Sequence, residues 1–348
     1  MKVRLLDAFA GIGGFHLGVQ QACQDLNIDF ECVGAIEWDK KCQETYKINF
    51  PNVQIWDDIT KIDLTTLPNH NLLTGGFPCQ PFSMAGKAYK NNMIVIENDI
   101  RRNLFLYLID ILKIKQPKYF IFENVKGILN LFDPISNENI VNIILQMIND
   151  IGYNTIIKTI SPHEIGIPQK RQRVFFIGTL KPNIIKDFTI KYKNQKVLKD
   201  ILLDNVPSTY NLINRKIWNE NGQIRNMSRI DMMYESFCNR KHKHKYNPEN
   251  TVLAAEINGD TPSGRSRQTN RAYHYNGLSP TLTTVDIKII YDLNNTFRYL
   301  TEKEYARLQG FIENFKIHLN SNIAYRQFGN AVCVDIVQYI IKEIYNVF

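Results

Sequence analysis

From Met1 to about Leu180 the chain alternates short apolar runs with longer stretches whose apolar residues recur every three to four positions. A short apolar run suits a strand buried on both faces of a parallel sheet, and a 3.6-residue period suits a helix covering that sheet. The alternation therefore dictates βαβ units and an α/β fold with a mostly parallel sheet. The strands are expected at Val3–Leu6, Cys32–Ile36, Leu72–Thr74, Tyr119–Phe122 and Val174–Ile177, and the helices at Phe15–Leu26, Lys40–Asn49, Leu104–Ile114 and Ile140–Asn149. Open sheets of this kind bind ligands beyond the carboxyl ends of their strands, so chemistry is expected where the runs stop.

After Leu180 the periodicity weakens and turn-rich stretches appear around residues 258–267. Residues 181–277 hold 17 Lys and Arg against 9 Asp and Glu, while the rest of the chain balances at 25 of each, so the whole net charge of +8 lies in this stretch. A localised basic excess suits an anionic partner such as nucleic acid. Its densest clusters are Lys241-His-Lys-His-Lys245 and Arg265-x-Arg267-x-x-x-Arg271, and solvated surface charge is the other reading of each. Order returns at Leu278, and Val334, Val337, Ile341 and Ile344 mark a final helix packed on a core. The expected division is residues 1–180 as one domain, 181–277 as a smaller loop-rich domain, and 278–348 as a segment returning to the first.

Six cysteines are spread through the chain with no C-x-x-C pair, in a sequence long enough to build a core without disulfides, which suits a reducing cytoplasm. No run approaches the ~20 apolar residues that span a bilayer, and the Met-Lys-Val-Arg start lacks an extended apolar signal core. A soluble, cytoplasmic protein without membrane association is expected.

Four constellations sit where strands stop. Asp7-Ala-Phe9-Ala-Gly11-Ile-Gly13-Gly14-Phe15 follows the first strand, and its glycines suit a tight turn that brings backbone close to a ligand at a helix N-terminus. A nicotinamide fingerprint would need glycine where His16 stands, which argues against a dehydrogenase. Glu37-Trp38-Asp39 closes the second strand, and Asp58-Ile59 follows. A strand-end carboxylate can accept from ribose hydroxyls and an indole can stack on a purine, so together with the glycines they favour an adenosine-bearing cofactor. Each feature alone occurs in many α/β folds.

In Gly75-Gly-Phe-Pro78-Cys79-Gln80-Pro-Phe-Ser83, two prolines restrict the backbone around a lone cysteine at a strand-to-loop position. Cys79 is the candidate nucleophile, whereas Cys23, Cys32, Cys42 and Cys333 read as small buried hydrophobes. Glu123, in Phe122-Glu123-Asn124-Val125, ends an apolar strand at the same sheet edge, where desolvation would raise its proton affinity and let it act as an acid. In Gln169-Lys-Arg171-Gln-Arg173, residues 169, 171 and 173 alternate onto one face of an extended segment, placing two guanidinia for a phosphate and a base carbonyl. Solvated charge is the alternative there.

These residues, in this order, resemble the C5-cytosine DNA methyltransferases. Asp7–Gly14, Glu37–Asp39 and Asp58-Ile59 are similar to that family's S-adenosylmethionine motifs, Gly76–Ser83 to its PCQ loop, Glu123-Asn124-Val125 to its ENV motif and Gln169-x-Arg171-x-Arg173 to its Q-x-R-x-R motif. Ser279-Pro-Thr-Leu282 resembles the end of its target-recognition domain. Arg298-x-Leu300-Thr301-x-x-Glu304-x-x-Arg307-Leu308-Gln309-Gly310-Phe311 and Gly329-Asn330-Ala331-Val332 resemble its last two motifs. The likeness spans residues 3–180 and 278–348, with Asp99-Ile-Arg101 standing where the family's loop is richer in glycine.

The resemblance implies a Rossmann-like S-adenosylmethionine-dependent methyltransferase fold with a smaller, loop-rich target-recognition domain. It implies S-adenosyl-L-methionine held by Phe9, Gly11, Gly13, Gly14, Glu37, Trp38, Asp58, Ile59, Pro78 and Asn330. It implies double-stranded DNA contacted by Gln80, Ser83, Gln169, Arg265, Arg267 and Arg271. Catalysis would fall to Cys79, Glu123, Arg171 and Arg173: the Cys79 thiolate adds to C6 of a flipped cytosine, Glu123 serves N3, Arg173 holds O2 and Arg171 lies nearby on phosphate, with no metal required. The resemblance further implies a monomer in a restriction-modification system, with a cognate restriction endonuclease acting on the same site without a stable complex. An RNA methyltransferase of the same fold would use the same Cys79 and Glu123, although Phe77 before Pro78 and the full-sized variable region favour DNA. A non-catalytic DNA-binding relative would have no need of Cys79, Glu123 and Arg173 together.

Overall fold

The computed structural model describes residues 2–78, 100–133, 136–191, 196–211, 217–218, 253–257, 271–284, 287–294 and 296–345, with backbone alone at 100–103, 217–218, 253–257 and 271. The chain divides into two compact units: Met1–Ile160, Gln172–Thr189 and Ala331–Phe348 form the first, Ser161–Arg171 and Ile190–Asn330 the second. This differs from the division expected from sequence. Residues 161–171 leave the first domain and 278–330 leave the return segment, because strand Gln169–Lys170 pairs in parallel with Ser279–Pro280 inside the second unit.

In chain order the elements are β1 (Lys2–Ala8), α1 (Gly14–Asp25), β2 (Asp29–Ile36), α2 (Lys40–Asn49), β3 (Ile55–Trp56), β4 (Leu72–Gly76), α3 (Ile100–Lys115), β5 (Tyr119–Val125), α4 (Ile140–Asp150) and β6 (Tyr153–Ile160). They continue with β7 (Gln169–Lys170), β8 (Arg173–Leu180), β9 (Ile217–Trp218), β10 (Leu253–Ile257), β11 (Arg271–His274), β12 (Ser279–Pro280), β13 (Ile289–Tyr291) and β14 (Phe297–Tyr299). Three helices follow: α5 (Glu302–Leu308), α6 (Ser321–Asn330) and α7 (Val334–Tyr345).

The first unit is built on a seven-stranded sheet of order β3-β2-β1-β4-β5-β8-β6. Its strands are parallel from β3 to β5, and β8 runs antiparallel to both β5 and β6. All five expected strands lie in this sheet. β3 and β6 went unforeseen, β3 because it has two residues and β6 because it is an edge strand whose middle is half-buried and carries no continuous apolar run. From β1 the chain moves outward to β2 and β3, then returns to place β4 on the other side of β1, so the direction of winding reverses between β1 and β4. A crevice beyond the strand ends is expected at such a reversal.

Leu6, Leu73, Leu108, Ile111, Phe120 and Phe122 are fully buried in the core on the α3 side of this sheet, each contributing about 1.5–3 kcal/mol of apolar burial. The Asp39 carboxylate caps α2 by accepting from the Lys41 and Cys42 N–H groups, and Asn139 caps α4 through Val141 N–H. Helix α7 lies against α1, so closely that a Cβ at Gly18 would stand 2.7 Å from the Val334 carbonyl oxygen and 2.6 Å from Val337 Cβ.

The second unit holds a five-stranded sheet of order β14-β13-β11-β10-β9 over a core that includes Ala272, Ile289, Tyr291 and Phe297. Arg298, 2% exposed, pairs there with Asp292 and with Glu304, both at 2.8 Å, and Glu304 also closes a capping box with Thr301 at the start of α5. Those carboxylates meet the need of a buried guanidinium for partners. Among the described residues no helix is long and apolar enough to cross a membrane.

Candidate active site

At the end of β1 the backbone enters the left-handed region at Phe9 (φ 54°), Gly11 (φ 57°) and Gly13 (φ 92°), which turns it sharply into α1. Gly13 must be glycine: a Cβ there would lie 2.4 Å from the Phe50 ring. Gly14 is as tightly seated, 2.8 Å from the Val332 carbonyl oxygen by the same measure. At Gly11, by contrast, a Cβ would meet nothing within 4 Å. The loop is therefore closed on its core side and open at Gly11, and α1 starts after Gly13 without a side-chain cap at that position.

Glu37 at the end of β2 is 8% exposed and steers this loop. Its Oε2 accepts from Gly11 N–H at 2.7 Å and its Oε1 from Asp39 N–H at 2.8 Å, while burial pushes its carboxyl above the usual range. Gln43, which the sequence motifs do not single out, steadies the strand end by donating to the Glu37 carbonyl at 2.5 Å and to Asp57 at 2.6 Å. Trp38 is 78% exposed, an indole face with nothing packed over most of it. The Asp58 carboxylate caps the turn Ile59–Lys61 through Thr60, whose hydrogen bonds hold its carboxyl below the usual range, and the Ile59 side chain is buried in the core. An adenosine-bearing cofactor fits this set: open backbone at Gly11, a buried carboxylate at a strand end and an exposed aromatic face. Ile59 could contribute only through its backbone.

Across the point where the winding reverses, β4 ends at Gly76 and the chain continues through buried Phe77 to half-buried Pro78. Cys79, Gln80 and Ser83 lie outside the described residues. Two features fix the approach to them. Asn124, 1% exposed, donates from Nδ2 to the Phe77 carbonyl at 3.3 Å, and Gly76 is in register with Glu123, whose Oε2 lies 3.6 Å from the position of a Gly76 Cβ. From the sequence Asn124 stands out only as a motif residue, because its partner is a carbonyl 47 residues away. The Glu123 carboxylate also pairs with Arg173 Nε at 2.8 Å across β5 and β8, with the two side chains 14% and 16% exposed. The apolar surroundings expected for Glu123 are thus replaced by a cationic neighbour, since β8 brings Arg173 into register with Val125.

Gln169 and Arg171 depart from expectation. The two do share a face, as their spacing requires, but it is an inward face: Gln169 is fully buried and Arg171 is 3% exposed. Gln169 donates to the Leu308 carbonyl and accepts from Leu282 N–H, while Arg171 donates to the carbonyls of Leu282 and Gly329 at 2.8 and 3.0 Å. Both side chains are thus engaged by backbone groups inside the second unit rather than turned toward solvent. The solvent-facing residues of the run are Lys170 and Gln172, the latter accepting from Lys126 Nζ at 2.9 Å. Arg265 and Arg267 lie outside the described residues, Arg271 is described in backbone only as the start of β11, and exposed Asn330 ends α6.

The chain matches the family described as C-5 cytosine-specific DNA methylase over residues 3–346. It is 30% identical to the type II methyltransferase M.HhaI of Haemophilus parahaemolyticus, covering 98% of this chain and 94% of that protein. It is 31% identical to the type II methyltransferase M.NlaX of Neisseria lactamica, at 98% and 95% coverage. Among solved structures, the Entamoeba histolytica methyltransferase EhMeth superposes with a TM-score of 0.68 at 19% identity, over 100% of this chain and 99% of that one, a likeness of fold.

Proposed function

Because this chain belongs to the C-5 cytosine-specific DNA methylase family and is a DNA cytosine-5-methyltransferase, we propose that it methylates a flipped cytosine in duplex DNA through Cys79, Glu123 and Arg173. S-adenosyl-L-methionine, when bound, supplies an electrophilic methyl group. Phe9, Gly11, Gly13, Gly14, Glu37, Trp38, Asp58, Pro78 and Asn330, with the Ile59 backbone, are the residues assigned to hold it.

Cytosine C5 is too weak a nucleophile to take a methyl group unaided, so a nucleophile must first add to C6. That role goes to the Cys79 thiolate, which follows the anchored Phe77-Pro78 approach. Glu123 hydrogen-bonds or protonates N3 as electron density moves into the ring, and Arg173 holds O2. After transfer the C5 proton leaves and Cys79 is expelled. Duplex DNA requires extrusion of the base, at a cost of a few kcal/mol that backbone contacts from the basic stretch 181–277 offset. The observation that carries this reading is the Glu123–Arg173 pair, which sets a carboxyl and a guanidinium side by side, with Glu123 against Gly76, three residues before Cys79. We assign the protein further to a type II restriction-modification system, as a cytoplasmic monomer whose cognate endonuclease acts on the same site independently.

The test is transfer of labelled methyl to duplex DNA and, in parallel, to transfer RNA. Incorporation into DNA that Cys79→Ser abolishes is expected, together with trapping of the chain on an oligonucleotide bearing 5-fluorocytosine. Label confined to RNA would overturn the substrate, and activity surviving in Cys79→Ser would overturn the nucleophile.

A further inference from the structure

The buried polar side chains of the second unit join four separate stretches of chain. Gln169 uses both ends of its amide, donating to the Leu308 carbonyl at 2.7 Å and accepting from Leu282 N–H at 3.1 Å. Arg171 spans the carbonyls of Leu282 and Gly329, and Gln309, fully buried, donates to the Phe328 carbonyl at 2.7 Å. Gln169 and Gln309 are themselves 3.4 Å apart, amide to amide. Residues 169–171, 282–283, 308–309 and 328–329 therefore meet on three side chains. Close packing adds to the hydrogen bonds, since a Cβ at Gly329 would lie 2.4 Å from the Thr283 carbonyl oxygen. A guanidinium held this way is stabilised by fixed backbone dipoles, and drawing it out to a phosphate would leave two buried carbonyls without those donors.

We propose that Gln169, Arg171 and Gln309 are positioning residues that fix the backbone at Phe328–Gly329, and through it the presentation of Asn330. This rests on the reading that Asn330 meets the cofactor. Asn330 is exposed at the end of α6, one bond before the chain re-enters the first unit at Ala331. Its neighbour Gly329 is the residue whose carbonyl Arg171 holds, so loosening Arg171 frees the turn that carries Asn330. The planar guanidinium matters because it reaches two carbonyls from separate segments at once, which a single ammonium does not reproduce.

Three variants of the full chain test this: Arg171→Met, Arg171→Lys and Gly329→Ala, the last disturbing the same turn without touching a charge. The two Arg171 variants are expected to raise the KM for S-adenosylmethionine about tenfold, the loss of roughly one charge-assisted hydrogen bond, and Gly329→Ala to raise it as well by displacing the same turn, with kcat at saturating cofactor changed much less in all three. The slope of log DNA affinity against log salt should stay unchanged in Arg171→Met. A phosphate contact would instead reduce that slope by about 0.9 and leave the cofactor KM alone, which would overturn the proposal. Equal losses in kcat, cofactor KM and thermal stability across the variants would also overturn it, as the mark of general scaffolding. Should the wild-type chain fail to methylate DNA, the functional reading falls; wild-type activity with unshifted KM in the variants sinks this inference alone.

Discussion

Asp7→Asn removes the charge of a fully buried side chain in β1 while keeping its shape. Asp7 Oδ1 accepts from the Thr74 hydroxyl at 2.7 Å, and Oδ2 has no hydrogen-bond partner. Burial pushes this carboxyl from 3.8 up to about 7, opposed by the Thr74 bond and the His16 backbone and reinforced by the charge of Glu37. At about 1.4 kcal/mol per pH unit, a shift of roughly 3 units is worth about 4 kcal/mol. The folded state binds the proton more tightly than the unfolded chain. The stability that Asp7 contributes is therefore complete below about pH 4 and is lost as pH rises toward 7, where the folded protein must hold a buried carboxylate. His16, held down at about 3 by burial, stays neutral through this window. Asparagine keeps the acceptor for Thr74 and does not titrate, although its unmet amide donor costs about 1–3 kcal/mol at every pH. The slope is thus diagnostic and the offset is not. In urea unfolding, the stability of Asp7→Asn minus that of wild type should rise by about 1.4 kcal/mol per pH unit between pH 4 and 7 and then level off. Parallel pH profiles for the two proteins would refute the argument.

Two further outcomes follow from the geometry. Glu123→Gln should lower methyl transfer by about 10²–10⁴-fold, the range for a lost general acid, while leaving cofactor binding by calorimetry near wild type; equal losses in both would mark the carboxylate as structural. Gly18→Ala should destabilise the first unit by about 1–3 kcal/mol through overpacking of α1 on α7, read as a lower thermal midpoint, and Val337→Ala in the same chain should restore little of it, because Val337 Cβ at 2.6 Å and the Val334 carbonyl oxygen at 2.7 Å both remain.

Much of the first unit was legible because its strands are buried on both faces. Val3–Leu6, Leu72–Thr74 and Tyr119–Phe122 read as strands from local composition alone, and the motifs at their ends then had to gather at one edge. The edge strand β6 escaped notice because half-burial leaves no continuous apolar signal. Asn124 and Gln43 escaped because each is defined by a carbonyl that only folding brings near.

The run from Gln169 to Arg173 separates the two kinds of information most clearly. Side-chain alternation in an extended segment is a property of the backbone, so residues 169 and 171 had to share a face whatever surrounded them. Which face became interior was settled by pairing with Ser279–Pro280, more than a hundred residues further on, which turned two polar side chains toward the carbonyls of Leu282, Leu308 and Gly329. Local spacing can order the chemistry along a chain, because periodicity and motif are short-range. Whether an arginine meets solvent or a buried carbonyl depends on distant segments that no short window contains.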